Sequence, residues 1–386
     1  MQRLTLTPRA ILIDVISPDM TKQTAERRLT ELDALTKTYG GIVVVKTLQR
    51  RAVPNYKTYI GPGKIEELIQ LAQTEKCELI IVNNLLKPKQ MFELGELLRK
   101  HGLRAWDRVD LILKIFDKHA KTSEAKLQIK LAAIRHMGPR IFGMGMELMQ
   151  QSGGIGGRGG QGETNTEIMK RHLAGQEKHL KDELAKLAIG RAGHRTRRDR
   201  LGLKTVSIVG YTNAGKSSLL NALTKKGAYV ANQLFATLDT RVGKLWIEKE
   251  AAANGRPQGE EILLSDTIGF IQDLPPQLIQ AFRSTLDETI DADLILHVID
   301  VSDPHREAKI KEVEAILDEL GVQNTPKIYA FNKTDLVKRI PIKTLQKKYA
   351  EFCPVFVSAN TKAGSEELIQ HIQQGLHASR NYLTHN

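Results

Sequence analysis

Short apolar runs alternate with amphipathic stretches through the first hundred positions. Ile11-Leu12-Ile13-Asp14-Val15-Ile16, Gly41-Ile42-Val43-Val44-Val45 and Glu78-Leu79-Ile80-Ile81-Val82 read as buried strands, and residues 24–39, 64–73 and 89–100 carry helical periodicity. Strands and helices alternating at this spacing predict a small parallel α/β domain over residues 1–106. From 107 the period changes. Residues 107–146 hold few breakers, with Leu127, Leu131, Ile134 and Ile141 at helical intervals. Residues 164–198 repeat the pattern, with Leu173, Leu180, Leu184 and Leu187 near heptad spacing. Two such stretches predict a long antiparallel α-helical hairpin over residues 107–200, joined along an apolar seam. Their connection, residues 152–163, contains seven glycines and Arg158, a composition that builds no core.

Strand patterns return after Leu201 and continue in the domain assigned to residues 201–386. The first, Val206-Ser207-Ile208-Val209, leads into Gly210-Tyr211-Thr212-Asn213-Ala214-Gly215-Lys216-Ser217 and then the helix-forming Ser218-Leu219-Leu220. Strand, glycine-rich turn and helix start are what a phosphate-binding loop requires, because several backbone N–H groups then converge on one anion. Lys216 is placed to reach the β- and γ-phosphates, and the Ser217 hydroxyl to ligate Mg²⁺. A threonine loop follows, Phe235-Ala236-Thr237-Leu238-Asp239, in which Thr237 is a second candidate Mg²⁺ ligand. The strand 261–266 ends in Asp266-Thr267-Ile268-Gly269; Asp266 would hold Mg²⁺ through water, and Gly269 N–H would sense the γ-phosphate. Two later strands, 294–300 and 327–331, precede Asn332-Lys333-Thr334-Asp335, and Ser358-Ala359-Asn360 ends the last one. The Asp335 carboxylate can accept from guanine N1 and N2, a donor pair that adenine lacks. In this order the motifs predict a Ras-like P-loop domain that binds GTP or GDP and hydrolyses GTP, with Lys216, Thr237, Gly269 and Asn213 as its catalytic candidates.

Phe270 stands where many GTPases carry a water-orienting glutamine, so intrinsic hydrolysis is expected to be slow and to be accelerated by a partner. Asn213 has two readings: in related GTPases it accompanies a K⁺ ion that stands in for an arginine finger, or it fixes the turn. Arg241 is a lesser candidate for the same charge. Gly61-Pro62-Gly63-Lys64 also opens a helix, but its spacing matches no standard phosphate fingerprint, and Glu66 and Glu67 suit an ordinary first turn.

Net charge alters the picture most. At +13 it exceeds what a small-molecule enzyme needs and points to a polyanion partner. Arg191, Arg195, Arg197, Arg198 and Arg200 cluster at the end of the second hairpin helix, opposed locally by Asp199 alone. With Arg158, Gly159 and Gly160 at the hairpin tip, they are the candidate RNA contacts. No apolar run approaches about 18 residues, so no membrane span is expected. Cys77 and Cys353 lie far apart and predict neither a disulfide nor a metal site.

These motifs together resemble the HflX family of ribosome-associated GTPases. The likeness is carried by Tyr59-Ile60-Gly61-Pro62-Gly63-Lys64-Ile65-Glu66-Glu67-Leu68, by Gly157-Arg158-Gly159-Gly160-Gln161-Gly162-Glu163-Thr164, and by the P-loop, threonine-loop and Asp266–Ile271 segments. It implies a cytoplasmic protein, partly ribosome-associated and monomeric off the ribosome. The N-terminal domain and hairpin would bind the large ribosomal subunit, and the tip would approach the peptidyl-transferase centre and its rRNA. In the GTP state such a protein splits stalled or idle ribosomes; action on subunit precursors, or GTP-gated RNA binding with little turnover, are the alternatives. Two departures stand out. Asp239-Thr240-Arg241 lacks the proline usual after the switch threonine, and Gln161 precedes Gly162-Glu163 where the family has R-G-P-G-E.

Overall fold

A computed structural model describes residues 7–151, 165–224, 241–249, 258–272, 278, 286 and 289–383. They fall into two compact units, one built chiefly from residues up to 118 with 126–185, the other from 119–125 and from 186 onward.

The first unit is organised on a four-stranded sheet of order β2-β1-β3-β4, from β1 (Arg9–Ile16), β2 (Ile42–Arg50), β3 (Leu79–Val82) and β4 (Arg104–Asp107). All its pairings are parallel, with one register shift between Ala10 and Ile11 against β2. Strand β1 is buried from Ala10 to Ile16, as a central parallel strand covered on both faces must be. Three helices connect the strands: α1 (Lys22–Tyr39), α2 (Pro62–Thr74) and α3 (Pro88–Arg99). The Thr21 hydroxyl accepts from Thr24 N to start α1, and Gly40 at φ 100° ends it. Ile11, Ile13, Leu68, Ile80, Leu94 and Leu98 fill the core on one face of the sheet.

The periodicity-based reading missed β4 and merged two helices. The structure has α4 (Arg108–His119) and α5 (Ser123–Gln151) in place of one helix from 107. Asp107 and Asp110 cap α4 reciprocally: Asp110 N donates to Asp107 Oδ1 at 2.9 Å and Asp107 N to Asp110 Oδ2 at 3.2 Å. Thr122 restarts the chain as α5, accepting from Ala125 N at 3.2 Å. Helix α6 (Asn165–Arg200) runs antiparallel to α5. Arg135 pairs with Glu177 at 3.0 Å, and Leu173 packs on Gly138. At the other end of the hairpin, Arg191 pairs with Glu124.

The second unit carries a six-stranded sheet of order β10-β9-β8-β5-β7-β6. Its strands are β5 (Lys204–Val209), β6 (Arg241–Lys249), β7 (Gln258–Asp266), β8 (Leu294–Asp300), β9 (Lys327–Asn332) and β10 (Val355–Phe356). Only β6 runs antiparallel to its neighbour. Helices α7 (Lys216–Leu223), α8 (Arg306–Glu319), α9 (Ile342–Lys348) and α10 (Ser365–Leu383) accompany it. Val206, Ile208, Leu219, Leu264, Leu296, Leu368 and Ile372 form the main core, tying α7 and α10 to the central strands. This is the expected class: parallel α/β, a helical middle region, and an α/β domain whose central strand feeds a glycine-rich turn.

Candidate nucleotide site

The site is built at the carboxyl ends of β5, β7, β8 and β9, where open parallel sheets bind ligands. Strand β5 is followed by Gly210, whose φ of 145° turns the chain hard against β8; a β-carbon there would lie 2.3 Å from Val298 O. Asn213 is also left-handed, at φ 63°, and Gly215 at φ 93° has no room for a side chain, because Asn332 Nδ2 lies 2.2 Å from the β-carbon position. Glycine meets both demands at no steric cost. Helix α7 then begins at Lys216, held to the core by Leu219, Leu220 and Leu223. Its first amides have no intrahelical acceptor and point into the turn, the arrangement that suits an anion.

Lys216 is buried, its ammonium donating to Gly210 O at 3.1 Å and Tyr211 O at 2.9 Å. Burial lowers its pKa to about 8, with the Asp266 charge opposing the shift. The Ser217 hydroxyl donates to Asp266 Oδ2 at 2.5 Å, which brings two of the predicted Mg²⁺ ligands together. Thr267 N and Oγ1 both donate to Ile208 O, at 3.3 and 2.9 Å, fixing the turn after Asp266. Gly269 lies against Thr212 and the Lys216 ammonium, again with no space for a β-carbon. The Phe270 side chain is 1% exposed and points into the core, so it touches no water at the reaction centre. Arg241 opens β6 in register with Asp266.

The base-recognition motifs converge on the other side of the loop. Asn332 Nδ2 donates to Ala214 O at 2.9 Å, and its Oδ1 accepts from Ala359 N at 3.0 Å, so Asn332 clamps the phosphate loop to the Ser358-Ala359 loop. Lys333, at φ 66°, extends its ammonium to Asp300 at 2.7 Å. The Ser358 hydroxyl donates to Asp335 Oδ1 at 2.7 Å and so lowers that carboxyl's pKa, leaving the exposed carboxylate oriented. Behind this, burial pushes the Glu314 carboxyl up, but hydrogen bonds from His297, Lys327 and Tyr329 outweigh it and hold its pKa at about 2. That network braces β8 and β9.

The structure thus brings together Gly210 to Ser217, Asp266, Gly269, Asn332, Lys333, Asp335, Ser358 and Ala359, with Ser218 on the first turn of α7. Phe235, Thr237, Arg158, Gly159 and Gly160 lie outside the described residues, as does the Arg195 side chain. Of the basic candidates, Arg191 is engaged by Glu124, Arg198 is half-buried, and Arg197 is exposed. Sequence reasoning missed Asp300, Lys309 and Gln272. No spacing rule links them to the loop; only the sheet does.

A phosphate loop, a magnesium-type Ser/Asp pair and an oriented guanine-type carboxylate define a P-loop GTPase. The comparisons agree. Residues 205–333 match a family model described as "50S ribosome-binding GTPase", residues 26–117 one described as "GTP-binding GTPase N-terminal", and residues 119–198 one described as "GTP-binding GTPase Middle Region". A protein named GTPase HflX from Caldanaerobacter subterraneus is 41% identical over 368 residues, 95% of this chain and 80% of that one. One of the same name from Escherichia coli is 34% identical over 348 residues, 90% of this chain and 79% of that one. The crystal structure of SsGBP with GDP covers 95% of this chain and 98% of its own, at 25% identity and a TM-score of 0.52. The chain belongs to the HflX family of GTPases. Among the described residues no helix is long and apolar enough to cross a membrane.

Proposed function

We propose that this GTPase docks on the large ribosomal subunit with its N-terminal unit and helical hairpin, residues 152–163 approaching the rRNA of the peptidyl-transferase centre. In the GTP state it splits stalled or idle ribosomes, and the ribosome stimulates hydrolysis. The observation that carries the reading is the match of residues 205–333 to a ribosome-binding GTPase model on a chain whose net charge is +13. Two surface features support it. Arg197 and Arg200 stand exposed at the end of α6. Residues 50–64 and 83–92, which follow β2 and β3 on one rim of the N-terminal sheet, contain Arg50, Arg51, Lys57, Lys64, Lys87 and Lys89 and no acid, although Lys64 pairs with Glu67 and the same rim carries Asp19 and Asp107. There Gln90 Nε2 donates to Asn55 O at 3.1 Å and pins the loop that holds Tyr56 77% exposed beneath Lys89. A fixed aromatic ring among cations suits contact with RNA bases and phosphates.

Ser217 and Asp266 are hard oxygen donors already within hydrogen-bond distance, a donor set that fits Mg²⁺, with Asp266 acting through water. When bound, Mg²⁺ would supply positive charge that offsets the charge developing on the phosphates. Lys216 adds a second positive charge at the same phosphates, and Gly269 N–H is the group that meets the γ-phosphate. Asn213 is the residue toward which a K⁺ would be held. Phe270 supplies no group to orient water, so the basal rate is slow and the ribosome completes the site.

The test is GTP hydrolysis with and without purified large subunits, run beside sedimentation of intact ribosomes. Strong stimulation with a GTP-dependent shift to free subunits is expected. Stimulation without a shift would replace splitting by an assembly role, and no stimulation would leave a GTP-gated RNA-binding protein.

A further inference from the structure

Hydrogen bonds tie the segment after Gly269 to the phosphate loop. Phe270 N donates to Gly210 O at 3.2 Å, Thr212 N to Phe270 O at 2.7 Å, and Gln272 N to the Tyr211 hydroxyl at 2.6 Å. The first two join backbone to backbone, in a parallel bridge between Tyr211 and Phe270, and any sequence could make them. The third needs a phenol at position 211. Tyr211 is 6% exposed, and the Lys309 ammonium lies over its ring, 4.3 Å from the ring centroid. Asp303 on the approach to α8 holds that ammonium in turn, at 2.5 Å. With the ring held there, the hydroxyl lies within reach of the Gln272 N–H.

We propose that Tyr211 is a positioning residue for GTP hydrolysis: its hydroxyl fixes the segment 270–272 and thereby aims the Gly269 N–H at the γ-phosphate. The hydroxyl bonds to Gln272 N, so it acts on the transferred phosphoryl group through that segment. Phe270 itself is buried and leaves the reaction centre without a side-chain donor from this turn, which makes the backbone amide of Gly269 the group whose placement matters. Stabilisation by a fixed amide depends on its being in place before charge develops. A hydroxyl that pins the next turn supplies that order. GDP carries no γ-phosphate and makes no use of the arrangement, so the device discriminates between the two nucleotides.

The inference rests on Gly269 N–H being the γ-phosphate contact, and the experiment separates the two. Tyr211→Phe keeps the ring, its packing and the Lys309 contact, and removes one buried hydrogen bond. In the full chain, single-turnover GTP hydrolysis should fall about tenfold, the equivalent of roughly 1.4 kcal/mol. GDP affinity should stay within about twofold, while affinity for a non-hydrolysable GTP analogue drops. Lys309→Met, which frees the ring but spares the hydroxyl, should show the same split at smaller size and serves if the first variant folds poorly. Equal weakening of GDP and the analogue, or hydrolysis within twofold of the parent, overturns the proposal. Gly269→Ala is the control: it keeps the N–H but puts a β-carbon 2.8 Å from the Lys216 ammonium and so displaces the amide; if it still hydrolyses GTP at the parent rate, the placement of that amide is immaterial and the γ-phosphate reading falls. If it is inactive while Tyr211→Phe is normal, only the role of Tyr211 falls.

Discussion

Two of the described helices carry glycine followed by lysine at their start, and only one of them has the geometry of a phosphate site. At Gly215-Lys216 the glycine is left-handed, at φ 93°, with Asn332 pressed against it, and the lysine is buried with its ammonium on Gly210 O and Tyr211 O. At Gly63-Lys64 the glycine has open space around it, Pro62 occupies the first helical turn, and the Lys64 ammonium turns back to Glu67 at 2.7 Å. Gly61 has an ordinary φ of −68°, and its N–H is already taken by Gln49 Oε1 at 2.9 Å. A cradle needs a turn that brings helix-start amides to one point and a cation held over that turn; at α7 the Lys216 ammonium sits on Gly210 O and Tyr211 O, whereas at α2 the Gly61 N–H is taken by Gln49 and the Lys64 ammonium by Glu67. Identical letters at a helix start therefore carry little information until backbone φ and lysine burial are known.

The largest effect expected from breaking this contrast is at Gly215. Gly215→Ala imposes a side chain at φ 93° and 2.2 Å from Asn332 Nδ2. Left-handed strain alone is worth on the order of 1–3 kcal/mol, and the clash adds to it. Fluorescent GDP binding should weaken by at least about a hundredfold, the equivalent of roughly 2.7 kcal/mol. Full binding by this variant would mean that the turn is not the cradle described.

Lys216 comes next, through pH. Its folded pKa of about 8 lies below the ordinary 10.5. Below about pH 8 both folded and unfolded chains carry the proton, and the burial penalty is present in full. Between about 8 and 10.5 the unfolded chain holds more protons, so the nucleotide-free protein gains stability as pH rises, by on the order of 3 kcal/mol from this group. Phosphate restores the ammonium. GDP binding near pH 8 should therefore take up a proton, seen as a dependence of calorimetric binding heat on buffer ionisation enthalpy. A heat independent of buffer would show that Lys216 is charged before nucleotide arrives.

Asp335 tests the other side of the nucleotide site, the carboxylate that Ser358 holds at 2.7 Å and that we propose reads the base. Asp335→Asn places an amide donor where guanine also donates, and the unmatched pair should cost about 1–3 kcal/mol of GDP affinity. Xanthosine diphosphate, which presents a carbonyl at that edge, should regain part of it. Unchanged discrimination between the two would remove Asp335 from base recognition.

Why the two halves of the chain differed in legibility follows from the same physics. Buried parallel strands such as Ile11–Ile16 and Leu294–Asp300 announce themselves as apolar runs, and the motif after each strand fixed the order of the nucleotide site. Strand β4 did not, because Arg104-Ala105-Trp106-Asp107 is short and charged at both ends. The break between α4 and α5 contains no glycine or proline; its signal was Thr122, a helix cap hidden in a polar run. The clamp at Asn332 and the Tyr211 to Gln272 bond were beyond reach for another reason. Their partners are 118 and 61 residues away in sequence, and adjacency is created only by the strand order.

The smallest effect is also the most diagnostic for the opening contrast. Gly63 has an unstrained backbone, sits in the first turn of α2 and has no heavy atom within 4 Å of a built β-carbon. Gly63→Ala should therefore stabilise the protein slightly, by about 0.5 kcal/mol, since alanine gives up less backbone entropy on entering a helix. Lys64→Ala removes one partly exposed pair with Glu67 and should change stability by less than about 0.5 kcal/mol. Neither should alter GTP or GDP binding, measured by nucleotide titration beside thermal melts. If Gly63→Ala instead destabilised the protein and weakened nucleotide binding, the N-terminal helix start would be a second phosphate site. The difference between a cradle and a cap would then have to be sought somewhere other than backbone φ and lysine burial.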